Sequence, residues 1–135
     1  TASESTLETY TVEANTAVVG MAWQIEWYGS ITGTNGQKDI RIKVDTTTIA
    51  TQTMAAGATG AFYGRAIIAT GSASSWTARG IQDTGGTLAA ITGSNGVSKV
   101  FTSAMDFTLT AQLASASDTI ALRYFAVTPL SDQFQ

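Results

Sequence analysis

Apolar and polar residues alternate along most of this 135-residue chain, with the period of two residues that is typical of a half-buried β-strand. The alternation is clearest in residues 106–113, where Phe107 and Leu109 share one side and polar residues occupy the other. Residues 119–128 are apolar on both sides, which predicts an interior strand. Pro129 is expected to end that strand because proline lacks a backbone donor.

The N-terminal half carries its strongest strand signal at residues 21–28. Trp23 and Trp27 fall on the same face of this segment, so we predict that both are buried in the core. The cluster 33–37 contains Asn-Gly and interrupts the pattern, and alternation resumes over residues 39–45. The two alternating segments therefore predict a β-hairpin closed by an Asn-Gly loop.

Shorter alternating or β-branched stretches lie at residues 7–13, 46–53, 61–70, 76–83, 87–92 and 97–102. Residues 54–60 predict a loop, and Gly85-Gly86 predicts a chain reversal. Residues 1–6 and 129–135 are expected to be short, loose terminal segments of one domain that spans residues 1–135. Eight or more short strands with no helical period predict an all-β fold, an antiparallel β-sandwich or jelly roll.

Two loops almost repeat each other, residues 31–36 (Ile-Thr-Gly-Thr-Asn-Gly) and residues 91–96 (Ile-Thr-Gly-Ser-Asn-Gly). They are either a pair of equivalent loops presented to a partner or the same turn solution used twice. The second interpretation needs only that Asn and Gly tolerate positive φ.

Composition excludes several classes of function. The chain has neither cysteine nor histidine, which removes thiolate chemistry, the usual general base and the commonest metal ligand. A net charge of −3 with seven Lys and Arg argues against nucleic acid as a partner, and no apolar run reaches the length of a membrane span. Charged residues make up only 13% of the chain, which predicts a hydroxyl-rich surface partly covered by other protein.

Catalytic motifs are missing from the sequence. The carboxylates are scattered and form no glycosidase or EF-hand pattern, and no Gly-x-Ser-x-Gly elbow occurs. We therefore predict a non-enzymatic protein with no metal and no cofactor.

Three residues are candidates for a ligand site or an interface. Tyr63 and Trp76 would stack on a sugar ring if they lie at loop edges, or would pack in a core or interface if their side chains are buried. Arg123 lies inside an apolar strand, so it either pairs with an acid or faces a seam between subunits.

A resemblance rests on the order of several stretches along most of the chain. These are Val12-Glu13-Ala14-Asn15-Thr16, Gly20, Trp27-Tyr28-Gly29, Lys38-Asp39-Ile40-Arg41-Ile42-Lys43, Arg65-Ala66-Ile67-Ile68, Thr70-Gly71, Phe107-Thr108-Leu109-Thr110-Ala111 and Ala116-Ser117-Asp118-Thr119-Ile120. The order resembles that of small jelly-roll domains of tailed-bacteriophage virion proteins, which are trimeric knobs found on capsid decoration or cement proteins and on tail fibres. No catalytic residue is transferred by this resemblance.

The resemblance implies a homotrimeric virion protein whose partners are its own copies and the major capsid protein or other virion proteins. We expect a capsid decoration protein that stabilises the shell. The alternative is a receptor-binding tip domain of a tail or head fibre that binds a host surface glycan or receptor. The first predicted strand begins at Leu7, close to Thr1, which favours decoration because a fibre tip needs a shaft before it.

Overall fold

A computed structural model describes residues 3–18, 20–72, 75–95 and 101–130 of the chain. These residues form nine β-strands and no helix, so they contain no helix that could cross a membrane. The strands are β1 (Glu4–Val12), β2 (Ala22–Thr32), β3 (Lys38–Val44), β4 (Thr47–Met54), β5 (Gly60–Ser72), β6 (Ser75–Thr84), β7 (Thr87–Asn95), β8 (Met105–Leu113) and β9 (Thr119–Leu130).

The strands form two sheets whose apolar faces pack against each other. The four-stranded sheet has the order β1-β8-β3-β4, and the five-stranded sheet has the order β7-β6-β5-β2-β9. Every neighbouring pair is antiparallel. The predicted all-β antiparallel sandwich is therefore confirmed, while a jelly-roll connectivity stays a prediction.

The core is dominated by aromatic side chains from both sheets. Trp23 and Trp27 are 0% and 1% exposed, as predicted from their shared face. Trp23 stacks on Trp76 with ring centroids 5.9 Å apart, and Phe107 of the opposite sheet meets Trp23 edge to face at 5.1 Å. Aromatic pairs of this geometry contribute beyond the area they bury.

Of the two alternatives for Trp76, packing in the core is the one that the structure shows. Its side chain is 0% exposed, because β6 begins at Ser75 and pairs Trp76 with Thr70 of β5. Trp76 therefore faces the core and cannot stack on a ligand.

Two short reversals explain the local hairpins. β3 and β4 are joined by Asp45-Thr46, and Asp45 has a positive φ of 53°. β6 and β7 are joined by Gly85-Gly86 with φ values of 60° and 91°, which confirms the predicted reversal. Positive φ at both central residues is the requirement of a type I′ turn, whose twist matches that of the flanking strands.

The predicted hairpin across residues 33–37 is wrong. β2 pairs with β5 and β9, whereas β3 pairs with β4 and β8, so residues 33–37 carry the chain from one sheet to the other. Apolar and polar residues alternate in the same way whether two consecutive strands pair as a hairpin or belong to different sheets. The second segment with the repeated sequence also differs, because Gly93–Asn95 belongs to β7, and Gly96 lies outside the described residues. The two segments are therefore not equivalent loops.

β9 is an edge strand, not the interior strand that its sequence predicted. It pairs only with β2, and Arg123 has no partner in the register because a bulge lies opposite Tyr28 and Gly29. The bulge shifts the alternation, so the apolar side chains before and after it reach the same inner face. These are Ile120, Leu122, Phe125 and Val127. Pro129 does not end the strand, because an edge strand tolerates a residue without a donor.

Part of each terminal segment that was predicted to be loose belongs to a strand. β1 begins at Glu4, and β9 continues through Pro129 to Leu130, whereas residues 1–2 and 131–135 lie outside the described residues. Most of the strand predicted at residues 97–102 falls outside the described residues, and Phe101 and Thr102 form a turn.

The two sides of the sandwich differ in how they close. On one side β4 packs against β7, and Gly93 is required there because a Cβ would meet the Ile49 carbonyl oxygen at 1.9 Å. On the other side β1 and β9 make only sparse contact. A cleft of about 350 Å³ lies here, and we call it the open seam. It is lined by Ser3, Ser5, Leu7, Ala111, Leu113 and Ile120.

Candidate functional site

The described residues contain no cluster of three or more His, Cys, Asp or Glu side chains that could hold a metal ion. Tyrosine and arginine side chains are instead spread over the outer face of the five-stranded sheet, the face that points away from the core. Two of the three predicted site residues, Tyr63 and Arg123, belong to this sheet with exposed or half-buried side chains.

Three tyrosines from neighbouring strands stand in one row across this outer face. Tyr28 of β2 lies directly between Tyr124 of β9 and Tyr63 of β5 in the strand register. Tyr28 and Tyr124 are 45% and 50% exposed, and Tyr63 is half-buried. We call these three residues the tyrosine row. Neighbouring strands are about 4.8 Å apart, so the row presents one aromatic side chain per strand.

The sequence identified only Tyr63 of this row. Tyr28 was detectable in principle, because it alternates with Trp27 and so must point away from the core. Tyr124 was not detectable, because the bulge at Arg123 changes which side chains of β9 point outward. Only the pairing of β9 with β2 brings Tyr124 beside Tyr28.

A strong hydrogen bond joins the tyrosine row to an acid. The Tyr63 hydroxyl donates to Glu26 Oε2 at 2.5 Å, and this hydrogen bond, together with partial burial, raises the pKa of Tyr63. Arg65 lies directly opposite Glu26 in the register, yet the two side chains form no ion pair. Glu26 is thus engaged by the phenol, and Arg65 remains without a carboxylate partner.

The basic side chains of the described residues divide into two groups. The paired group is Lys38 with Asp118, Arg41 with Glu4 and Asp39, and Lys43 with Glu4. The unpaired group is Arg65, Arg79 and Arg123, all of which belong to the five-stranded sheet and are exposed. Of the two alternatives for Arg123, pairing with an acid is not met among the described residues, and a seam between subunits stays a prediction. Unpaired guanidinium groups are thus confined to one sheet.

Arg65 and Arg79 border a shallow depression of about 330 Å³ on the same outer face. We call it the arginine depression, and its lining consists of Gln24, Arg65, Ile67, Arg79, Gly80 and Ile81. Arg79 Nη1 donates to the Ala78 carbonyl at 2.8 Å, which holds this guanidinium without neutralising it. The depression therefore combines two cations and an amide with apolar isoleucine side chains.

The outer face of the four-stranded sheet is arranged differently. Glu4 Oε1 accepts hydrogen bonds from Arg41 and Thr110, and Glu4 Oε2 accepts one from Lys43 at 2.6 Å. These bonds, led by those from Lys43 and Thr110, lower the pKa of Glu4 to about 2. Asp39 completes the network by pairing with Arg41 at 3.2 Å. The charges of this face are satisfied by one another.

A buried ion pair lies at one end of the sandwich. Lys38 Nζ contacts Asp118 Oδ2 at 3.2 Å and donates to the carbonyl oxygens of Gly36 and Ala56, while the Asn35 and Gly36 amides donate to Asp118. Burial alone would raise the pKa of Asp118, but these hydrogen bonds outweigh it and lower the pKa. All three ammonium protons have acceptors, so the pair holds three loops together and leaves no group for a ligand.

Comparisons with protein-family profiles, with curated proteins and with solved structures return no match to this chain.

Proposed function

We propose that this chain is a non-enzymatic structural protein of a tailed-bacteriophage virion, a homotrimeric capsid decoration or cement protein that stabilises the shell. The observation that carries the proposal is the open seam, where one side of the sandwich lacks the closure that β4 and β7 provide on the other. The resemblance to phage knob domains supplies the biological setting.

The open seam leaves apolar side chains of the core incompletely covered. Leu7, Leu113 and Ile120 line it and are all half-buried, and Phe125 and Val127 on the edge strand are half-buried as well. Removing apolar surface from water stabilises an association by about 25 cal/mol for each Å² buried. Contact with another copy of the chain would complete the burial of these side chains, and we propose that trimer formation does so.

Stabilisation of a shell by such a protein follows from mass action. A protein that binds the assembled shell but not its dissociated subunits lowers the free energy of the assembled shell and leaves that of the dissociated subunits unchanged. Few charges have to be desolvated at such a contact, because only 13% of the residues are charged. No bond is made or broken in this function, which is consistent with a described fold built around packing and not around a catalytic cluster.

The test uses particles from which the gene has been deleted. Particles without the protein should release their DNA at a lower temperature and still adsorb to cells at the normal rate. Adding back the purified protein should restore the release temperature, whereas Leu113→Gln, which places an amide in the open seam, should restore less. Normal DNA release together with lost adsorption would contradict the decoration function.

A second candidate function is a receptor-binding tip domain of a tail or head fibre. The specific observation in its favour is the tyrosine row, because exposed aromatic side chains on a rigid sheet are suited to stacking on a sugar. Substitution of Tyr28 and Tyr124 by alanine should then reduce adsorption and leave DNA release unchanged. Normal adsorption together with DNA release at a lower temperature would favour decoration.

A further inference from the structure

We propose that the arginine depression and the tyrosine row together bind an acidic polysaccharide, with a sugar carboxylate held between Arg65 and Arg79. This inference does not depend on where the protein sits on a virion or on trimer formation at the open seam. It concerns the outer face of the five-stranded sheet alone.

The first argument is the charge left unsatisfied on this face. Arg65, Arg79 and Arg123 have no carboxylate within ion-pair distance among the described residues, whereas each of the other described cations has one. Glu26 accepts a hydrogen bond from Tyr63 and Asp83 accepts one from the Gly86 amide at 2.8 Å, and neither acid lies within ion-pair distance of these arginines. An anionic partner would supply the carboxylate contact that these arginines lack.

The second argument is the chemistry of the arginine depression. Guanidinium groups hold carboxylates through paired, charge-assisted hydrogen bonds in a fixed geometry. Ile67 and Ile81 supply an apolar lining that suits the C–H face of a sugar ring, and Gln24 supplies an amide for its hydroxyl groups. The volume of about 330 Å³ is at the lower end of the range for small-molecule sites, which suits one ring of a longer chain.

The third argument is the path from the depression to the tyrosine row. Tyr63 lies two residues before Arg65 on β5, so the two side chains share the outer face and the row begins beside the depression. Tyr28 and Tyr124 continue the row across β2 and β9. One aromatic side chain per strand gives a spacing close to the length of one pyranose unit. An extended sugar chain can therefore lie across the strands with successive rings on successive tyrosines.

The repetition of the row favours a polysaccharide over an acidic protein. A protein loop would be recognised by one or two anchoring side chains in pockets, surrounded by contacts that exclude water. Here the aromatic side chains form a regular line across the strands of an open sheet surface, and the cationic depression lies beside the Tyr63 end of that line, displaced along β5 by the two residues from Tyr63 to Arg65. Repeated identical platforms match a partner with a repeated unit.

The experiment measures binding of the purified chain to three acidic probes by calorimetry and by NMR shift mapping. The probes are a short oligogalacturonate, a hyaluronate fragment and an oligosialate, with the methyl ester of each as a matched neutral control. We expect at least one acid to bind, with shifts confined to the outer face of the five-stranded sheet. Its methyl ester should bind at least about tenfold more weakly, because the carboxylate contacts are lost.

Three variants test the assignment of residues. Arg65→Gln with Arg79→Gln should weaken binding at least about tenfold, and Tyr28→Ala with Tyr124→Ala should weaken it by a similar factor. Arg41→Gln removes an arginine charge from the outer face of the other sheet, so it should change the affinity less than about twofold. Far-ultraviolet circular dichroism and thermal melting confirm that each variant is folded.

Four results would overturn the proposal. The first is absence of binding to all three acidic probes, and the second is equal binding of an acid and its methyl ester. The third is an equal loss of affinity in Arg41→Gln, which would indicate nonspecific electrostatic attraction. The fourth is a pair of results: the wild-type protein binds no polysaccharide, and the variant with both Arg65 and Arg79 replaced no longer binds purified phage shells. That pair would make this face a protein interface.

Discussion

The outer faces of the two sheets use their charges in opposite ways. On the four-stranded sheet, Glu4 is shared by Arg41 and Lys43, so the ionic groups neutralise one another within the chain. On the five-stranded sheet, Glu26 is occupied by the Tyr63 hydroxyl, and Arg65 is left unpaired although it lies directly opposite. On the first face the cations contact carboxylates of the same chain, whereas on the second Arg65 contacts none among the described residues.

The difference lies in what each acid contacts. Opposite charges commonly pair across antiparallel strands, yet Glu26 Oε2 accepts from the Tyr63 hydroxyl, and the Arg65 side chain directly opposite Glu26 lies beyond ion-pair distance. Glu4, in contrast, contacts two cations at once. The two faces therefore differ in whether their cations contact a carboxylate of the same chain.

The largest expected effect concerns the core on which both faces rest. Trp76→Ala should lower the free energy of unfolding by about 3 to 5 kcal/mol, because it empties a fully buried site beside Trp23 and Phe107. Chemical denaturation followed by fluorescence measures this change. Leu88→Ala, at a side chain that is 70% exposed, is the control and should change stability by less than about 0.5 kcal/mol. Similar stabilities for the two variants would contradict the placement of Trp76 in the core.

The next largest effect concerns the buried ion pair, which belongs to neither face. Lys38→Met should lower the free energy of unfolding by about 3 kcal/mol, since Asp118 would stay buried without its cation. Adding Asp118→Asn to this variant should recover part of the loss, because it removes the buried charge; only part is recovered, since the single amide oxygen can replace one of the two carboxylate oxygens that accept from the Asn35 and Gly36 amides. A double variant less stable than Lys38→Met alone would refute the pairing.

A smaller effect depends on pH and tests the ion pairs on the outer face of the four-stranded sheet. The pKa of Glu4 is about 2 in the folded chain, below its ordinary value of 4.5, so its contribution to stability is present above pH 4.5 and is lost as the pH falls towards 2. Glu4→Gln should therefore cost about 1 to 2 kcal/mol at pH 7, after allowance for solvent screening at a partly exposed group.

The same variant should cost progressively less as the pH is lowered through this window, because the wild-type carboxylate becomes protonated. Urea denaturation at several pH values measures the difference between the two proteins. Glu8→Gln on the same strand is the control, since the Glu8 carboxylate contacts only the neighbouring Thr9 amide among the described residues. A constant difference between wild type and Glu4→Gln across the pH range would rule out the network as its source.

The smallest effect on stability is expected on the outer face of the five-stranded sheet. Arg65→Gln should change the free energy of unfolding by less than about 0.5 kcal/mol, because it removes no ion pair. Arg41→Gln is the matched control on the outer face of the four-stranded sheet. It should lower the free energy of unfolding by more, since it breaks contacts with Glu4 and Asp39. An equal cost for the two substitutions, measured by thermal melting, would remove the distinction between the faces.

The sequence by itself determined the local features of this protein. Period-two alternation predicted the all-β class and most of the strands, and the shared face of Trp23 and Trp27 predicted their burial. The reversal at Gly85-Gly86 was also predictable, because its conformation depends on the turn residues themselves. Each of these properties is set by neighbours in the chain, so a single sequence carries the information.

The tertiary structure decided everything that depends on pairing between distant segments. Residues 33–37 cross between sheets, β9 lies at an edge, and its bulge turns Tyr124 outward beside Tyr28. Lys38 finds Asp118 although 79 residues separate them in the chain, and Glu26 bonds Tyr63 and not Arg65. Alternation fixes which side chains oppose each other along one strand, but it contains no information about which strand lies alongside. That choice comes from burying two apolar faces against each other, which is a property of the whole chain.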